Sequence, residues 1–205
     1  THPVIQRILL GRGIGSQDEL SLELKDMLLP DQLGGVNEAA GLLADAVTQD
    51  LKILIVGDFD TDGATGTALA VLSLRAMGAR QVDFRVPNRF EFGYGLTVPL
   101  VETLAGSPPE LLVTVDSGIG CVQGVARARD MGCQVIVTDH HLPGPSIPDA
   151  NAIVNPNCSG DAFPSKAMAG VGVMFDLLSV LRRELRSRGW FNRRRVEPNL
   201  AHFLD

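Results

Sequence analysis

Short runs of β-forming residues alternate with helix-like stretches over most of this chain, from about residue 51 onward. The runs ILIV and VIV are apolar at every position, which is typical of parallel strands that helices cover on both faces. This alternation predicts βαβ units, and therefore an α/β fold: a doubly wound, mainly parallel sheet with helices on both faces. The predicted strands are residues 52–57, 81–86, 111–115, 134–138 and 151–155, and the predicted helices between them are residues 64–78, 97–106 and 122–132.

The first 50 residues lack this alternation and predict a helical lead-in. Two short helices are expected at residues 2–13 and 16–24, and a third at 35–50. The second begins with a capping box, in which Ser16 is the N-cap and Glu19 stands three residues further on. We therefore expect two parts, a lead-in at residues 1–50 and an α/β domain at residues 51–205.

Composition indicates a folded protein, since 45% of the 205 residues are hydrophobic. The sequence has no apolar run near the ~20 residues of a membrane span, and its N-terminus does not resemble a signal peptide. Cys121, Cys133 and Cys158 form no CxxC pair, so neither a disulfide framework nor a zinc site is indicated. These features predict a soluble, cytoplasmic protein that does not contact a membrane.

The charge distribution leaves two interpretations open. A net charge of −6 argues against a general nucleic-acid coating protein, because phosphate binding uses clustered Lys and Arg. Seven arginines nevertheless fall within residues 182–195. That segment is either a solvated helix face with a basic tail or a contact for phosphate.

Acidic residues and histidines follow three of the predicted strands. Ligands of open α/β sheets bind beyond the carboxyl ends of the strands, so these side chains are expected to converge if the three strands are neighbours. The first strand is followed by Asp58, Asp60 and Asp62, the third by Asp116, and the fourth by Asp139, His140 and His141.

Several carboxylates in one small volume repel each other unless they are protonated or hold a cation, and one or two divalent metals are the economical solution. Asp60 and Asp62 are expected to face one centre from a turn, with Gly63 allowing the backbone to bend before the next helix. Oxygen ligands alone would suit Mg²⁺, but the histidines shift the preference towards Mn²⁺.

Simpler explanations exist for each motif taken alone. The acidic turn at residues 58–62 and Asp116 each suit a helix N-terminus, and the two histidines suit a protein surface. A dinucleotide site is disfavoured because no GxGxxG follows the first strand, and a phosphoaspartate phosphatase would not explain the paired histidines. The simple explanations weaken jointly, because three separate caps need not stand at three strand ends of one sheet.

The motifs GDFDTDGATGTAL, VTVDSGI and VTDHHLPG resemble the first three motifs of the DHH phosphoesterase superfamily. The further stretches VPNRFEFGYGL, AIVNPN, FPSKAMAGVGVMF and RGWF resemble its bacterial single-strand-specific DNA exonucleases, over essentially the whole chain. This resemblance implies 5'-to-3' release of mononucleotides from single-stranded DNA in recombination and repair. It also implies Mn²⁺ or Mg²⁺ as cofactor, two ions in a complete site, and a single-strand-binding protein and a recombination helicase as partners.

The resemblance also implies roles for individual residues. His141 would lie near the scissile phosphate, with Asp139 orienting the histidines, so these two form the catalytic pair. Arg89 and Tyr94 are candidates to contact phosphate and base, although Tyr94 is equally suited to packing its loop. Ser117 and Gly118 complete the predicted substrate-binding set. The implied metal ligands are Asp58, Asp60, Asp62, Asp116 and His140.

Two departures from the family pattern matter. Phe92 stands where a polar residue is common, and the chain stops at NLAHFLD, before the stretch where the family places a fourth aspartate. The sequence is therefore expected to be part of a longer protein, with its domain truncated before the last metal-binding motif. Asp176 is expected to be structural or exposed rather than a ligand. Two other functions stay open: an oligonucleotide or cyclic-dinucleotide phosphodiesterase of the same superfamily, and a non-catalytic interaction module.

Overall fold

A computed structural model describes residues 2–16, 18–21 and 23–204, with Asp18 described by its backbone alone. Within this part of the chain, every strand pairs in parallel in one sheet with the order β2-β1-β3-β4-β5. The predicted α/β class and the predicted strands are confirmed. The strands are β1 Ile53–Gly57, β2 Val82–Arg85, β3 Leu111–Val115, β4 Gln134–Thr138 and β5 Ala152–Val154.

Helices cover both faces of this sheet, because the central strands are apolar on both sides. All five residues of β1 and of β3 are buried. One apolar core lies under α2, α3 and α7, and a second, smaller one lies under α5 and α6. The α-helices are α1 Pro3–Gly11, α2 Val36–Gln49, α3 Thr61–Ala76, α4 Arg89–Phe92, α5 Val98–Glu102, α6 Val122–Asp130 and α7 Gly170–Ser187.

The lead-in is only partly helical. Helix α1 forms as predicted, but the expected helix over residues 16–24 is wrong: short 3₁₀ helices occur at Asp18–Leu20 and Leu24–Asp26. The described residues of this segment are exposed, so an α-helix here would gain little from tertiary packing. Glu19 still accepts hydrogen bonds from the backbone of Gly15 and Ser16, as half of a capping box would. Gln17 and Leu22 lie outside the described residues.

Helix α2 is continuous with the core of the α/β part, since Val36, Leu43 and Val47 are buried in the cluster that contains α3 and α7. The boundary predicted at residue 50 therefore falls between two elements that share one core. Thr1 and Asp205, the outer limits of the two predicted parts, lie outside the described residues. Further 3₁₀ helices occur at Pro30–Gln32 and Leu200–Phe203.

The arginine-rich segment at residues 182–195 is engaged in ion pairs at the end of α7. Arg183 binds Asp31, Arg186 binds Glu197, and Arg188 binds both Asp45 and Glu184. The guanidinium group of Arg195 stacks on Trp190, with 3.5 Å from its carbon to the ring centroid. These contacts favour the solvated helix face over a phosphate contact. Among the described helices, none has the length and apolar character needed to cross a lipid bilayer.

Candidate functional site

The strands that precede the acidic motifs are neighbours at the centre of the sheet. Gly57, the last residue of β1, pairs with Val115, the last residue of β3, and β4 lies on the other side of β3. The residues that follow these strands therefore leave the sheet side by side at its carboxyl edge, as the sequence predicted. We call the following set the strand-end cluster: Asp58, Asp60, Asp62, Asp116, Asp139, His140 and His141.

Two groups of possible metal ligands overlap within the strand-end cluster. Asp58, Asp60 and Asp116 each offer one oxygen, and these atoms lie within 4.8 Å of one another. Asp116, His140 and His141 form a second group that meets the same limit. Asp116 is common to both groups. Nε2 of His140 lies 3.0 Å from Oδ1 of Asp116 and 3.7 Å from Oδ2 of Asp62.

Asp116 is the most constrained member of the cluster. Its side chain is buried, and its backbone adopts φ = 58°, in the left-handed region that a non-glycine residue seldom occupies. Burial and the nearby charges of Asp62 and Asp60 raise the pKa of Asp116 to about 7. Oδ1 of Asp116 is buried and makes no hydrogen bond of acceptable geometry among the described residues, although Nε2 of His140 lies 3.0 Å away.

An orphaned carboxylate oxygen facing an imidazole nitrogen fits a divalent cation. A buried polar atom without a partner is costly, and a cation would satisfy it while relieving the repulsion between the carboxylates. Mixed oxygen and nitrogen donors suit transition ions such as Mn²⁺. The simpler explanation for Asp116, a cap of the next helix, does not apply, because α6 begins at Val122 with Cys121 at its N-cap.

The turn after β1 caps helix α3 and also supplies Asp58 and Asp60 to the strand-end cluster. Oδ1 of Asp58 accepts the N–H of Phe59 at 2.8 Å, and burial raises the pKa of Asp58. Asp60 is the N-cap of α3 and accepts the N–H of Gly63 at 2.9 Å. The expected role of Gly63 as a bend before the helix is wrong, because it lies inside the first turn of α3. A glycine is needed there since a Cβ would lie 2.5 Å from the carbonyl oxygen of Asp58.

Asp62 joins the cluster to the N-terminus of α7. Its two carboxylate oxygens accept the backbone N–H groups of Gly170 and Val171, each at 2.7 Å. A Cβ on Gly170 would lie 2.6 Å from Oδ1 of Asp116, so this helix approaches the cluster as closely as its backbone allows. The small residues of AMAGVGV signalled such an approach in the sequence, but the bond to Asp62 was not predicted.

Asp139 organises the loop that carries the two histidines. Its Oδ1 accepts the backbone N–H groups of His140 and His141 at 2.7 and 3.1 Å, and lies 2.7 Å from Nδ1 of His141. Its Oδ2 accepts the N–H of Ile119 at 2.9 Å. Burial alone would lower the pKa of His141, but the hydrogen bond to Asp139 and the charges of Asp139, Asp116 and Asp58 raise it overall.

Two asparagines that the sequence analysis did not select hold the same loop from β5. Asn155 donates to the carbonyl oxygen of His141 at 3.0 Å, and Asn157 donates to that of His140 at 2.5 Å. Both belong to the stretch AIVNPN, so a polar pair directly after a strand was the available signal.

The predicted substrate-binding residues occupy different positions. Arg89 lies at the rim, with its guanidinium carbon 4.4 Å from the ring centroid of Phe59. Tyr94 is half-exposed, its ring meets that of His141 edge-on at 6.3 Å, and its hydroxyl donates to the carbonyl oxygen of Asp116 at 3.4 Å. Burial, together with the charges of Asp58, Asp139 and Asp116, raises the pKa of Tyr94. Ser117 and Gly118 are buried in the turn after β3.

Asp176 lies away from the strand-end cluster, on α7, and is buried rather than exposed. Burial raises the pKa of Asp176 to about 6. Of the two expectations for this residue, structural or exposed, the structure supports the first.

Comparison with known proteins places these features in a family. The model of the DHH family, N-terminal domain, matches residues 52–204. The single-stranded-DNA-specific exonuclease RecJ of Salmonella typhimurium is 49% identical over 204 residues, which are 99% of this chain and 35% of that protein. The chain thus spans about a third of the length of the curated relatives it matches.

Solved structures of RecJ are among those similar to this chain. A crystal structure of exonuclease RecJ bound to manganese is 39% identical, with a TM-score of 0.68 over 75% of this chain and 38% of that one. A structure of RecJ from Thermus thermophilus in complex with Mn²⁺ is 35% identical, with a TM-score of 0.71 over 87% of this chain and 24% of that one.

Proposed function

This chain belongs to the DHH family, and from that premise we propose that it carries the metal-binding part of a 5'-to-3' exonuclease that hydrolyses single-stranded DNA to mononucleotides. The observation that carries the proposal is the convergence of the strand-end cluster around the orphaned Oδ1 of Asp116. The identity of 49% to a single-stranded-DNA-specific exonuclease over nearly the whole chain supports the substrate class.

The proposed metal ligands are the carboxylates and the imidazole that face Asp116. Mn²⁺ is favoured over Mg²⁺ because a histidine nitrogen stands among the oxygens. Two ions are proposed for the complete site. The donor group of Asp58, Asp60 and Asp116, with Nε2 of His140 3.0 Å from Oδ1 of Asp116, supports one of them. When bound, such cations supply positive charge that activates water and stabilises the charge developing on the phosphate oxygens. The set is Asp58, Asp60, Asp62, Asp116 and His140.

His141 and Asp139 are proposed to act on the phosphate rather than on the metal. Asp139 fixes the ring of His141 through Nδ1, which leaves Nε2 to face the substrate. Because the pKa of His141 is raised, its imidazolium form persists to higher pH and can donate a proton or a hydrogen bond to a phosphate oxygen.

Residues at the rim are proposed to hold the DNA strand. Arg89 offers a guanidinium group to phosphate, and Tyr94 offers a ring face to a base. Ser117 and Gly118 remain proposed members of the substrate-binding set, although both are buried in the turn after β3. The single-strand-binding protein and the recombination helicase remain predictions of the sequence resemblance, and the cytoplasmic location remains a prediction from the composition and the N-terminus.

The experiment that tests this function compares the wild-type chain with Asp116→Asn. Mn²⁺ binding is followed by electron paramagnetic resonance, and mononucleotide release is followed on a 5'-phosphorylated single strand. We expect Asp116→Asn to weaken Mn²⁺ binding at least about tenfold and to abolish release, because it removes the ligand shared by both donor groups. Asp83→Asn is the control, since Asp83 is an exposed aspartate of β2 that lies outside the cluster.

The outcomes separate two parts of the proposal. Unchanged Mn²⁺ binding in Asp116→Asn would contradict the metal site itself. Normal Mn²⁺ binding by a folded wild-type chain that releases no nucleotides would contradict exonuclease activity for this chain while leaving the metal site in place.

A further inference from the structure

The most exposed aromatic side chains of the protein are concentrated near the strand-end cluster. Phe90 is 95% exposed, and Phe59, Phe84 and Tyr94 are exposed to between 37% and 51%. The remaining aromatic residues are more deeply packed; they are Phe92, Phe163, Phe175, Trp190, Phe191 and Phe203. All four exposed rings thus fall within residues 59–94, the segment that carries the first ligands and the rim.

Phe59 and Tyr94 lie beside the proposed reaction centre, and Phe90 is next in sequence to the rim residue Arg89. Phe59 separates Asp58 from Asp60, and Tyr94 touches the edge of His141. Phe90 follows Arg89, whose guanidinium group rests on the ring of Phe59. The fourth ring, Phe84, lies inside β2 and pairs through its backbone with Ile55, before the end of the strand.

The backbone of Phe90 is held in place although its ring is free. Phe90 lies in α4, and its N–H is bonded to Oδ1 of Asn88 at 3.1 Å. Asn88 also caps this helix, and the N–H of Phe92 bonds to its carbonyl oxygen at 2.9 Å. An exposed phenyl ring on a fixed backbone loses little conformational freedom when it binds a partner. Burying such a ring against a partner also removes apolar surface from water, which favours binding.

We propose that Phe90 is a specificity-determining residue that stacks on an unpaired base of the substrate strand. This inference rests on the proposed function, and it adds the reason why the substrate is single-stranded. Aromatic rings stack on any base with a similar gain, and a neighbouring guanidinium group pairs naturally with the phosphate. A base inside a duplex is already stacked on both faces, so it must be unstacked before it can meet the ring, which costs free energy.

The test measures strand affinity without hydrolysis, in EDTA, by fluorescence anisotropy. The probes are a 5'-phosphorylated oligodeoxynucleotide with all its bases and a series in which one abasic residue is moved through the first positions. We expect wild type to lose about tenfold in affinity at one abasic position. Phe90→Ala should bind the intact strand about tenfold more weakly and should no longer respond to that abasic residue, whereas Phe90→Trp should respond as wild type does.

Phe84→Ala is the matched control, because it removes an exposed phenyl ring from the neighbouring strand. It should retain both the affinity and the abasic response of wild type. Circular dichroism of each variant checks that α4 and the sheet are intact.

Several results would overturn the inference. If Phe90→Ala weakens binding but keeps the abasic response, the ring acts through the fold and not through a base. If Phe90→Ala binds as wild type does, the ring serves another partner, such as a protein surface. If wild type binds no single strand at all, the proposed function fails together with this inference.

Discussion

Asp116 shows how the tertiary structure gives a side chain an environment that its residue type does not fix. An aspartate after a strand is most often a helix cap, yet here its backbone turns into the left-handed region and directs Oδ1 into a space shared with His140. The free energy needed to bury this carboxylate is reflected in its raised pKa. A bound cation would reverse that cost, which is why strain and burial coincide at this residue.

The free energy of unfolding should depend on pH through Asp176. Because burial raises its pKa from 3.8 to about 6, the folded state holds a proton that the unfolded chain has released. The resulting stability is present below about pH 4 and is lost as the pH rises through about 6. We expect the difference in unfolding free energy between wild type and Asp176→Asn to change by about 2 kcal/mol between about pH 4.5 and about pH 7.5.

The measurement is urea unfolding of both metal-free proteins at the two pH values. Asp176→Asn should improve relative to wild type at the higher pH, because asparagine carries no charge to bury. Glu38→Gln, which changes an exposed carboxylate on α2, is the control. A difference between wild type and Asp176→Asn that is the same at both pH values would disprove the prediction.

Strands and helices were predicted correctly from the sequence where they bury much apolar surface. The central strands β1, β3 and β4 were predictable because their apolar runs require cover on both faces, whereas the edge strand β2 exposes three of its four residues. The helix over residues 16–24 failed because its described residues bury no apolar face. Helix α4 was not predicted, since four residues are too few to show a helical period. The least predictable elements therefore include the one that presents Arg89 and Phe90.

The N-terminus of α7 packs directly against Asp116 at Gly170. In Gly170→Ala, the new Cβ would lie 2.6 to 2.8 Å from the Cβ and carboxylate of Asp116, so the helix or the ligand must move. We expect a loss of about 1–3 kcal/mol in unfolding free energy and at least about tenfold weaker Mn²⁺ binding. Urea unfolding and electron paramagnetic resonance measure the two effects.

Gly172→Ala is the control within the same helix. Its Cβ would meet Cγ of Met168 at 2.7 Å, but that atom belongs to a flexible side chain that can turn away. We expect Mn²⁺ binding to be unchanged and stability to change by less than about 1 kcal/mol, since alanine also favours the helix. Equal effects of the two substitutions would show that the closeness of Gly170 to Asp116 is not what matters.

At the scale of the whole molecule, metal binding and folding should be coupled. The proposed ligands come from residues 58 to 140, and only the folded sheet gathers them at one edge. A cation that binds the folded state alone stabilises it by about 2.7 kcal/mol at one hundred times its dissociation constant. We therefore expect Mn²⁺ to raise the unfolding free energy of wild type by about this amount, and EDTA to reverse the effect.

The measurement is urea unfolding with and without Mn²⁺, with Asp116→Asn and Asp83→Asn in parallel. The stabilisation should disappear in the first variant and persist in the second. Stabilisation of equal size in all three proteins would instead indicate binding elsewhere on this acidic surface.

The sequence by itself determined the class of the fold and the chemical identity of the centre. Apolar periodicity and the choice of carboxylates and imidazoles are local properties, so the runs that form β1, β3 and β4 and the acids that follow them could be recognised without coordinates. The resemblance of DFDTDG and DHH to one superfamily added the reaction class.

Only the tertiary structure decided how these groups meet. The strand order, the hydrogen bonds from α7 to Asp62 and the position of Arg89 over Phe59 join residues that lie far apart along the chain. They accompany the left-handed backbone conformation at Asp116. Such contacts depend on which strands pair and on how closely the helices approach them. These are long-range packing choices, and no local pattern of side chains encodes them.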